Sequence, residues 1–365
     1  NNIQGAGDCG AIPNNYPGFQ PVTDPANQAK FEKAWGRKVD LEKGITKVRA
    51  LDSAGDRIRA MFIDGENTVV TDPDRAHCEK ALKSLDFLVV ADLFMTETAA
   101  LADVVLPAAG WGEVDGTQTN TERRIQRLRA AVPPQGEAKP DWWIISALAR
   151  RMGFEGFDYQ HPREVFNELC ELSTTYHGVN WDAVEAGAYQ WPVPFEGHPG
   201  TPRLHEDGFI NGRGVFKLIR YRDPAETVDD DYPVWLTTGR RLQSYHSRTQ
   251  TGRAAGMDYL LPEETLEVHP DDVVAWGLED GGWARMSSRR GAVRIKVEAT
   301  NRSPRGTVFT SFSFNDVPVN LLTGAGYDPN TDTAELKVCP VRVVPAEGPE
   351  TVVDSGAGRL DTAAD

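Results

Sequence analysis

Residues 57–67, RIRAMFIDGEN, and 85–107, LDFLVVADLFMTETAALADVVLP, decide the fold. Arg57–Ile63 reads as a strand that runs into the turn Asp64-Gly65-Glu66-Asn67. Phe87–Val90 is a continuous apolar run of the length a parallel sheet buries on both faces. Val104–Leu106 is a third strand, stopped by Pro107, which cannot donate to a ladder. Between them, Pro73–Leu85 carries helical apolar spacing, and Thr96–Ala102 reads as a second short helix with Thr96 placed to cap it. Strand, helix, strand, helix, strand predicts part of a doubly wound parallel sheet. Three strands do not complete such a sheet, so the remaining ones are expected outside this chain.

Working outward, residues 1–20 are rich in Gly, Asn and Pro and read as loop, followed by a short helix around Pro25–Trp35. Asp141–Met152 (DWWIISALARRM) is a clear helix between Pro140 and Gly153. Together, residues 1–153 form a partial α/β domain. Residues 154–232 are a Pro- and Gly-punctuated connector with one helix near Pro162–Leu172. From Pro233 short β-branched runs recur (VWLTTG, ETLEVHP, ARMSSRRGAVRIKVEAT, GTVFTSFSF, KVCPVRVV), separated by turn signals at Asp280-Gly281-Gly282 and Arg290-Gly291. They predict an all-β barrel over 233–345. The tail 346–365 has no aromatic residue and is expected to be disordered.

Composition narrows the function classes. The chain has 365 residues, 40% hydrophobic, and 39 basic against 54 acidic residues give a net charge of −15. That leaves no basic footprint for nucleic acid or anionic lipid. No run approaches the ~18 apolar residues of a membrane-spanning helix. Cys9, Cys78, Cys170 and Cys339 form no CxxC pair, which argues against a disulfide framework or a self-contained zinc or iron–sulfur site. Scattered thiols, with no signal peptide visible, lead to the expectation of a cytoplasmic protein. The seven histidines (77, 161, 177, 198, 205, 246, 269) show neither HxH nor HExxH spacing, so no metal site is expected in this chain.

Ligands of open parallel sheets bind beyond the carboxyl ends of the strands. Gly65-Glu66-Asn67, Asp92 and Ala108 fall at those three ends. A glycine there admits a ligand close to the backbone, and a carboxylate can accept paired hydrogen bonds from a ribose diol or guanine. The same residue types also form turns and caps, and both readings stand for each of them. Thr71-Asp72-Pro73 and Asp141 read first as helix starts, whose N-termini also suit anions. In Gly239–Ser247, Arg240, Arg241 and His246, with Arg248 beyond, suit a pyrophosphate or a basic surface loop equally.

At this point the chain resembles the molybdopterin oxidoreductase family, most closely the catalytic subunit of formate dehydrogenases. The resemblance runs to about Val344. It rests on Asn1-Asn2-Ile3-Gln4-Gly5-Ala6, on Gly65-Glu66-Asn67 with Thr71-Asp72, and on residues 85–127, LDFLVVADLFMTETAALADVVLPAAGWGEVDGTQTNTERRIQR. KPDWWIISALARRMG, the Gln190-Trp191-Pro192 turn, LTTGRRLQSYHSRTQT, SRRGAVRIKVEAT and NLLT…LKVCPVRV complete it.

The resemblance implies a partial Rossmann-like sheet followed by a six-stranded double-psi-type barrel. It implies two molybdopterin guanine dinucleotides around Mo or W. Their contacts look like Gly65, Glu66, Asn67, Thr71, Ala91, Asp92, Ala108 and Asp141 in the α/β part, and Arg240, His246, Phe312, Asn320, Leu336 and Lys337 in the barrel. Asn67 stands where these enzymes often have Asp, Ser313 replaces a frequent His and Leu336 a frequent Tyr. The family's [4Fe–4S] segment, its Cys or selenocysteine metal ligand and the Arg beside the metal lie ahead of the Asn-Asn-x-Gln-Gly motif. They are therefore expected in a missing N-terminal half of the same subunit. The substrate implied is formate, oxidised to CO2, with a separate Fe–S/flavin electron-transfer subunit and NAD among the possible acceptors. This chain alone is expected to be inactive. Within the family an assimilatory nitrate reductase or the large subunit of an NADH–quinone enzyme remains an alternative, and outside it a non-catalytic nucleotide-binding scaffold.

Overall fold

The computed structural model describes residues 3–209, 211–324 and 326–348. Asn1 and Asn2 of the opening motif, and nearly all of the tail expected to be disordered, lie outside the described residues. By contact the chain forms two compact units, each discontinuous in sequence: Asn1–Thr46 with Pro107–Ile219, and Lys47–Leu106 with Arg220–Asp365.

In the second unit the strands Ala60–Asp64, Phe87–Asp92 and Val104–Pro107 lie side by side in that order. The first two are parallel, with Phe62 opposite Val89. Alternation sends Met61, Ile63, Leu88 and Val90 to one face. There they pack with Leu51 of helix Lys47–Asp52 and with Cys78, Ala81 and Leu82 of helix Arg75–Lys83. The helix after the first strand does not begin at Thr71-Asp72-Pro73. Thr71 ends a separate four-residue helix, Thr68–Thr71, and Asp74 at φ +50° caps the next one by accepting from the His77 N–H at 3.2 Å. Asp72 instead closes the four-residue helix, its N–H donating to the Thr68 carbonyl, while its Oδ1 meets Lys47 at 2.5 Å. Thr96–Ala102 tightens to a single 3₁₀ turn, Ala99–Leu101, which the Thr96 hydroxyl caps at the Ala99 N–H.

The rest of this unit is a closed six-stranded barrel, so the fold is mixed α/β with a C-terminal β-barrel. Strands Val234–Gly239 and Thr307–Ser311 are parallel neighbours, as are Thr265–Val268 and Ala292–Ala299. Trp283–Ser287 and Cys339–Ala346 complete the wall through antiparallel pairs, and the Glu267–Phe309 pairing closes it. Strict alternation of buried and half-buried positions, clearest in VWLTTG and AVRIKVEA, puts Leu236, Leu266, Met286, Ile295, Val308 and Val341 inside with no exposure.

The first unit holds an antiparallel sheet of Gly116–Thr119, Arg124–Leu128 and Tyr189–Gln190, packed against helices Pro162–Leu172 and Trp181–Ala186. Its core joins Ile125, Phe166, Cys170, Tyr176, Trp181 and Trp191. Residues 1–20, read as loop, carry a short helix, Ile3–Asp8, and the paired strands Asn15–Tyr16 and Gln20–Pro21. What forms that helix is tertiary. Buried Asp8 accepts from Gln4 at 2.8 Å, from Tyr176 at 2.6 Å and from Trp191 at 2.8 Å. Among the described residues no helix is long and apolar enough to cross a membrane, and no group of three metal-ligating side chains occurs. All four cysteines are free thiols.

Candidate functional site

At the carboxyl end of the parallel sheet, Gly65 adopts φ +63° with open space where a side chain would project, and its N–H donates to the Ala91 carbonyl at 2.9 Å. That conformation favours glycine and leaves the loop backbone accessible. Glu66 accepts from the Thr71 hydroxyl at 2.6 Å and faces the Lys47 ammonium at 3.4 Å. Burial alone would raise the Glu66 pKa, but Lys47, Thr71 and His246 outweigh it and hold the carboxyl below its usual range. Asp72 is the reverse. Its burial outweighs the attraction of Lys47 and raises its pKa, and its Oδ2 is buried without a partner among the described residues. Burial also raises Asp92, whose Oδ1 accepts from the Leu93 N–H at 2.7 Å.

Asn67 is committed to the protein. Its amide donates to Glu97 at 2.7 Å, and its carbonyl oxygen accepts from the Thr98 hydroxyl at 3.0 Å. What this residue offers a ligand is its backbone. Thr71 likewise spends its hydroxyl on Glu66. Ala91 is fully buried at the end of its strand.

At the barrel end of the same unit, the loop after Val234–Gly239 separates the roles of its basic residues. Arg241 turns to Glu264 at 3.0 Å and Glu267 at 2.5 Å, and Arg248 to Asp258 and the Phe314 ring. A fully buried carboxylate such as Glu264 needs a cation, so Arg241 is a structural residue rather than a ligand contact. Arg240 is different. Its guanidinium lies 4.3 Å from the Phe312 ring centroid, and no carboxylate among the described residues pairs with it. Burial lowers its pKa. Burial also lowers that of Lys337, with Arg240 as a like charge adding to the effect. His246, at φ +50°, meets Phe312 edge-on at 5.3 Å. Burial first, then Arg240, pushes its pKa down to about 4, so the ring is neutral at pH 7. Glu66 and His246 feel each other's charge, Glu66 raising and Arg240 lowering the His246 pKa.

Asn320 and Leu336 support this site from within. The Asn320 amide donates to the Val70 carbonyl at 2.8 Å, tying the barrel to helix Thr68–Thr71. The Leu336 carbonyl accepts from Thr238. Ala108 and Asp141 belong to the first unit, where Ala108 bridges Lys139 and Asp141 opens helix Asp141–Arg151.

The residues present suit an anionic, hydrogen-bonding ligand. Arg240 and Lys337 have no counter-ion among the described residues, and the buried hydroxyls of Ser244 and Ser313 have no hydrogen-bond partner there either. Sequence reasoning missed Lys47 and Ser244, and noted Ser313 only as standing in place of a frequent His. No local pattern marks Lys47, whose partners lie 19 and 25 residues away.

Residues 3–151 match the family Molybdopterin oxidoreductase, and residues 234–340 match the Molydopterin dinucleotide binding domain. The chain belongs to the molybdopterin oxidoreductases and has the domains that bind a molybdopterin cofactor. It is 44% identical over 346 residues to the F420-dependent formate dehydrogenase subunit alpha of Methanocaldococcus jannaschii, covering 94% of this chain and 51% of that protein. It is 35% identical over 355 residues to formate dehydrogenase H of Escherichia coli, covering 94% and 49%. Among solved structures, acetylene hydratase from Pelobacter acetylenicus shares the fold, with a TM-score of 0.66 and 21% identity over 89% of this chain and 50% of that one. The chain spans about half the length of the curated relatives it matches.

Proposed function

We propose that this chain is the cofactor-holding half of a formate dehydrogenase catalytic subunit, which oxidises formate to CO2 with release of one proton and two electrons. The observation that carries the site is Arg240, set over Phe312 against which the neutral His246 also packs, with no counter-ion among the described residues and with Lys337 as a like charge that feels it. The pyrophosphate of a molybdopterin guanine dinucleotide is the anion such a pair suits, because a guanidinium fork matches phosphate oxygens. Gly65 and Asn67 present backbone, while Glu66 and Asp92 present carboxylates for guanine or ribose donors. Ser244 and Ser313 offer hydroxyls to the same ligand. On this reading Thr71, Ala91, Phe312, Asn320 and Leu336 shape the cradle, and Ala108 and Asp141 hold further parts of the cofactor. Formate as substrate is supported by the formate dehydrogenase relatives.

When bound, the cofactor's Mo or W supplies the two-electron chemistry. The residues of this chain bind it, orient it and keep its phosphates from water. The [4Fe–4S] cluster, the Cys or selenocysteine ligand and the formate-steering Arg are assigned to polypeptide outside these residues. Electrons then pass to a separate Fe–S/flavin subunit. Two acceptors fit: NAD, and F420, for which several relatives are named. The compartment is the cytoplasm, and residues 1–365 alone do not turn over formate.

The test is dye reduction by formate and, separately, oxidation of a reduced dye by nitrate, on the native polypeptide with its pterin and GMP content measured. Formate-dependent reduction with bound GMP is expected. Nitrate turnover without formate oxidation would move the chain to the nitrate reductases. Bound GMP with no turnover of either substrate would leave a scaffold.

A further inference from the structure

Two loops leave the barrel wall at one level. Strands Val234–Gly239 and Thr307–Ser311 are parallel neighbours, with Gly239 opposite Ser311. The residues that follow are Arg240 and Phe312, the guanidinium lying 4.3 Å from the ring centroid. Strand Thr265–Val268 runs antiparallel to Thr307–Ser311, with Glu267 opposite Phe309. That register brings Glu264, the residue before the strand, to the same end of the barrel.

Glu264 joins the two loops. Its side chain has no exposure. Oε1 accepts from Nε and Nη2 of Arg241 at 3.1 and 3.0 Å, and Oε2 accepts from the Ser311 hydroxyl. The Ser311 oxygen in turn accepts from the Ser313 N–H at 3.2 Å. Arg241 follows Arg240 in the chain, and Ser311 and Ser313 flank Phe312. One buried carboxylate thus reaches a residue next to each member of the Arg240–Phe312 pair. Pairing Arg241 does not require it, because Glu267 already meets that guanidinium at 2.5 Å. Nor does stability, since apolar residues of similar size often replace a buried ion pair without loss. What a second, fully buried carboxylate adds is one fixed geometry for both loops.

We propose that Glu264 is a positioning residue, holding Arg240, Phe312 and the Ser313 hydroxyl in the arrangement that receives the anionic ligand. The proposal rests on the reading of Arg240 as a phosphate contact. A guanidinium fork binds phosphate through its plane as well as its charge, so the plane has to be set. Groups ordered before the ligand arrives lose less freedom on binding it. The Ser313 hydroxyl, buried without a partner among the described residues, belongs to the same arrangement, because its backbone is tied to Ser311.

The test uses the native full-length polypeptide with 4-fluorophenylalanine in place of Phe312, its fluorine spectrum recorded and its bound GMP followed during dialysis. Glu264→Gln keeps the volume but puts an amide donor where the carboxylate accepted from both loops. It is expected to broaden or split the fluorine line and to speed GMP loss about 10-fold, the low end of a hydrogen bond to a charged group. In an Arg240→Ala background the same change should add no more than about 3-fold, because its effect passes through Arg240. A merely structural role would give the full factor in both backgrounds and would overturn the proposal. So would an unchanged fluorine line or an unchanged rate of GMP loss. If Glu264→Gln does not fold, Ser311→Ala cuts the same link by one hydroxyl and is read in the same way. A parent protein that holds no GMP would sink the dinucleotide reading alone, and the fluorine line would then decide whether Glu264 sets the ring.

Discussion

The Arg240 guanidinium lies 4.3 Å from the centroid of the Phe312 ring, with no carboxylate among the described residues to close the pair. A cation held flat against a ring and left without a counter-ion keeps its donors for something that arrives from outside. Lys337 strengthens the case, since burial disfavours both cations and the charge of Arg240 lowers the Lys337 pKa further. Burial of this kind, uncompensated within the fold, is typical of a binding site rather than of a structural pair.

Arg240→Ala is therefore expected to weaken dinucleotide retention by about 10–100-fold, the ~1.5–3 kcal/mol of a hydrogen bond to a charged group. Arg240→Lys keeps the charge but loses the planar fork and is expected to recover only part of it. GMP released by acid from purified full-length protein measures both. Retention equal to that of the unchanged protein would remove Arg240 from the site.

The neutral His246 makes stability pH-dependent in a definite direction. Its pKa falls from the ordinary 6.5 to about 4 in the folded chain, chiefly through burial, so the unfolded chain binds the proton more readily. Its contribution is present above about pH 6.5 and is lost as pH falls toward 4. Glu66, held low chiefly by Lys47 against its burial, adds in the same sense at lower pH. His246→Gln is expected to flatten the fall in urea midpoint between pH 6.5 and 4, leaving the pH 8 midpoint nearly unchanged. An equally steep fall in the variant would show that the ring is already charged in the folded protein.

The barrel was legible because its strands alternate, and alternation survives translation into structure: VWLTTG and AVRIKVEA bury every second residue. The strand Phe87–Asp92 was legible for the opposite reason, a continuous apolar run. The sheet of Gly116–Thr119 and Arg124–Leu128 was not, since GTQT and RIQRL contain one buried aliphatic, Ile125, and are strands only because Tyr176 and Trp191 pack on them. At the site, glycine and carboxylates at strand ends could be found from position. That Arg241 is consumed by Glu264 while Arg240 is left over could not, because adjacent arginines look alike until the fold gives one of them a buried carboxylate.

Gly239 is where the first barrel strand gives way to the Arg240 loop. A methyl group there would stand 2.4 Å from Phe309 Cε2, well inside contact distance. Gly239→Ala is expected to cost about 1–3 kcal/mol through overpacking. It should also displace the Arg240 loop, lowering GMP retention more than a loss of stability alone would. Gly239→Ala combined with Phe309→Leu is expected to recover most of the urea midpoint. If the single variant is as stable as the parent, the ring is free to move aside.

Lys47 joins two carboxylates, Asp72 at 2.5 Å and Glu66 at 3.4 Å, and only one of the two is buried. Removing the cation leaves Asp72 with a charge it cannot pair, on a residue whose second oxygen already lacks a partner. Because Lys47 is itself half-exposed, solvent screens part of the loss, and Lys47→Met is expected to cost about 1–2 kcal/mol at pH 7. The cost should shrink as pH falls, since burial has raised the Asp72 pKa and a protonated carboxyl needs no cation. Asp72→Asn in the Lys47→Met background should then recover most of the stability, a coupling that urea unfolding of all four proteins would measure. Additive losses would mean that the two side chains act separately and that the short contact contributes nothing to holding Glu66 at the sheet edge.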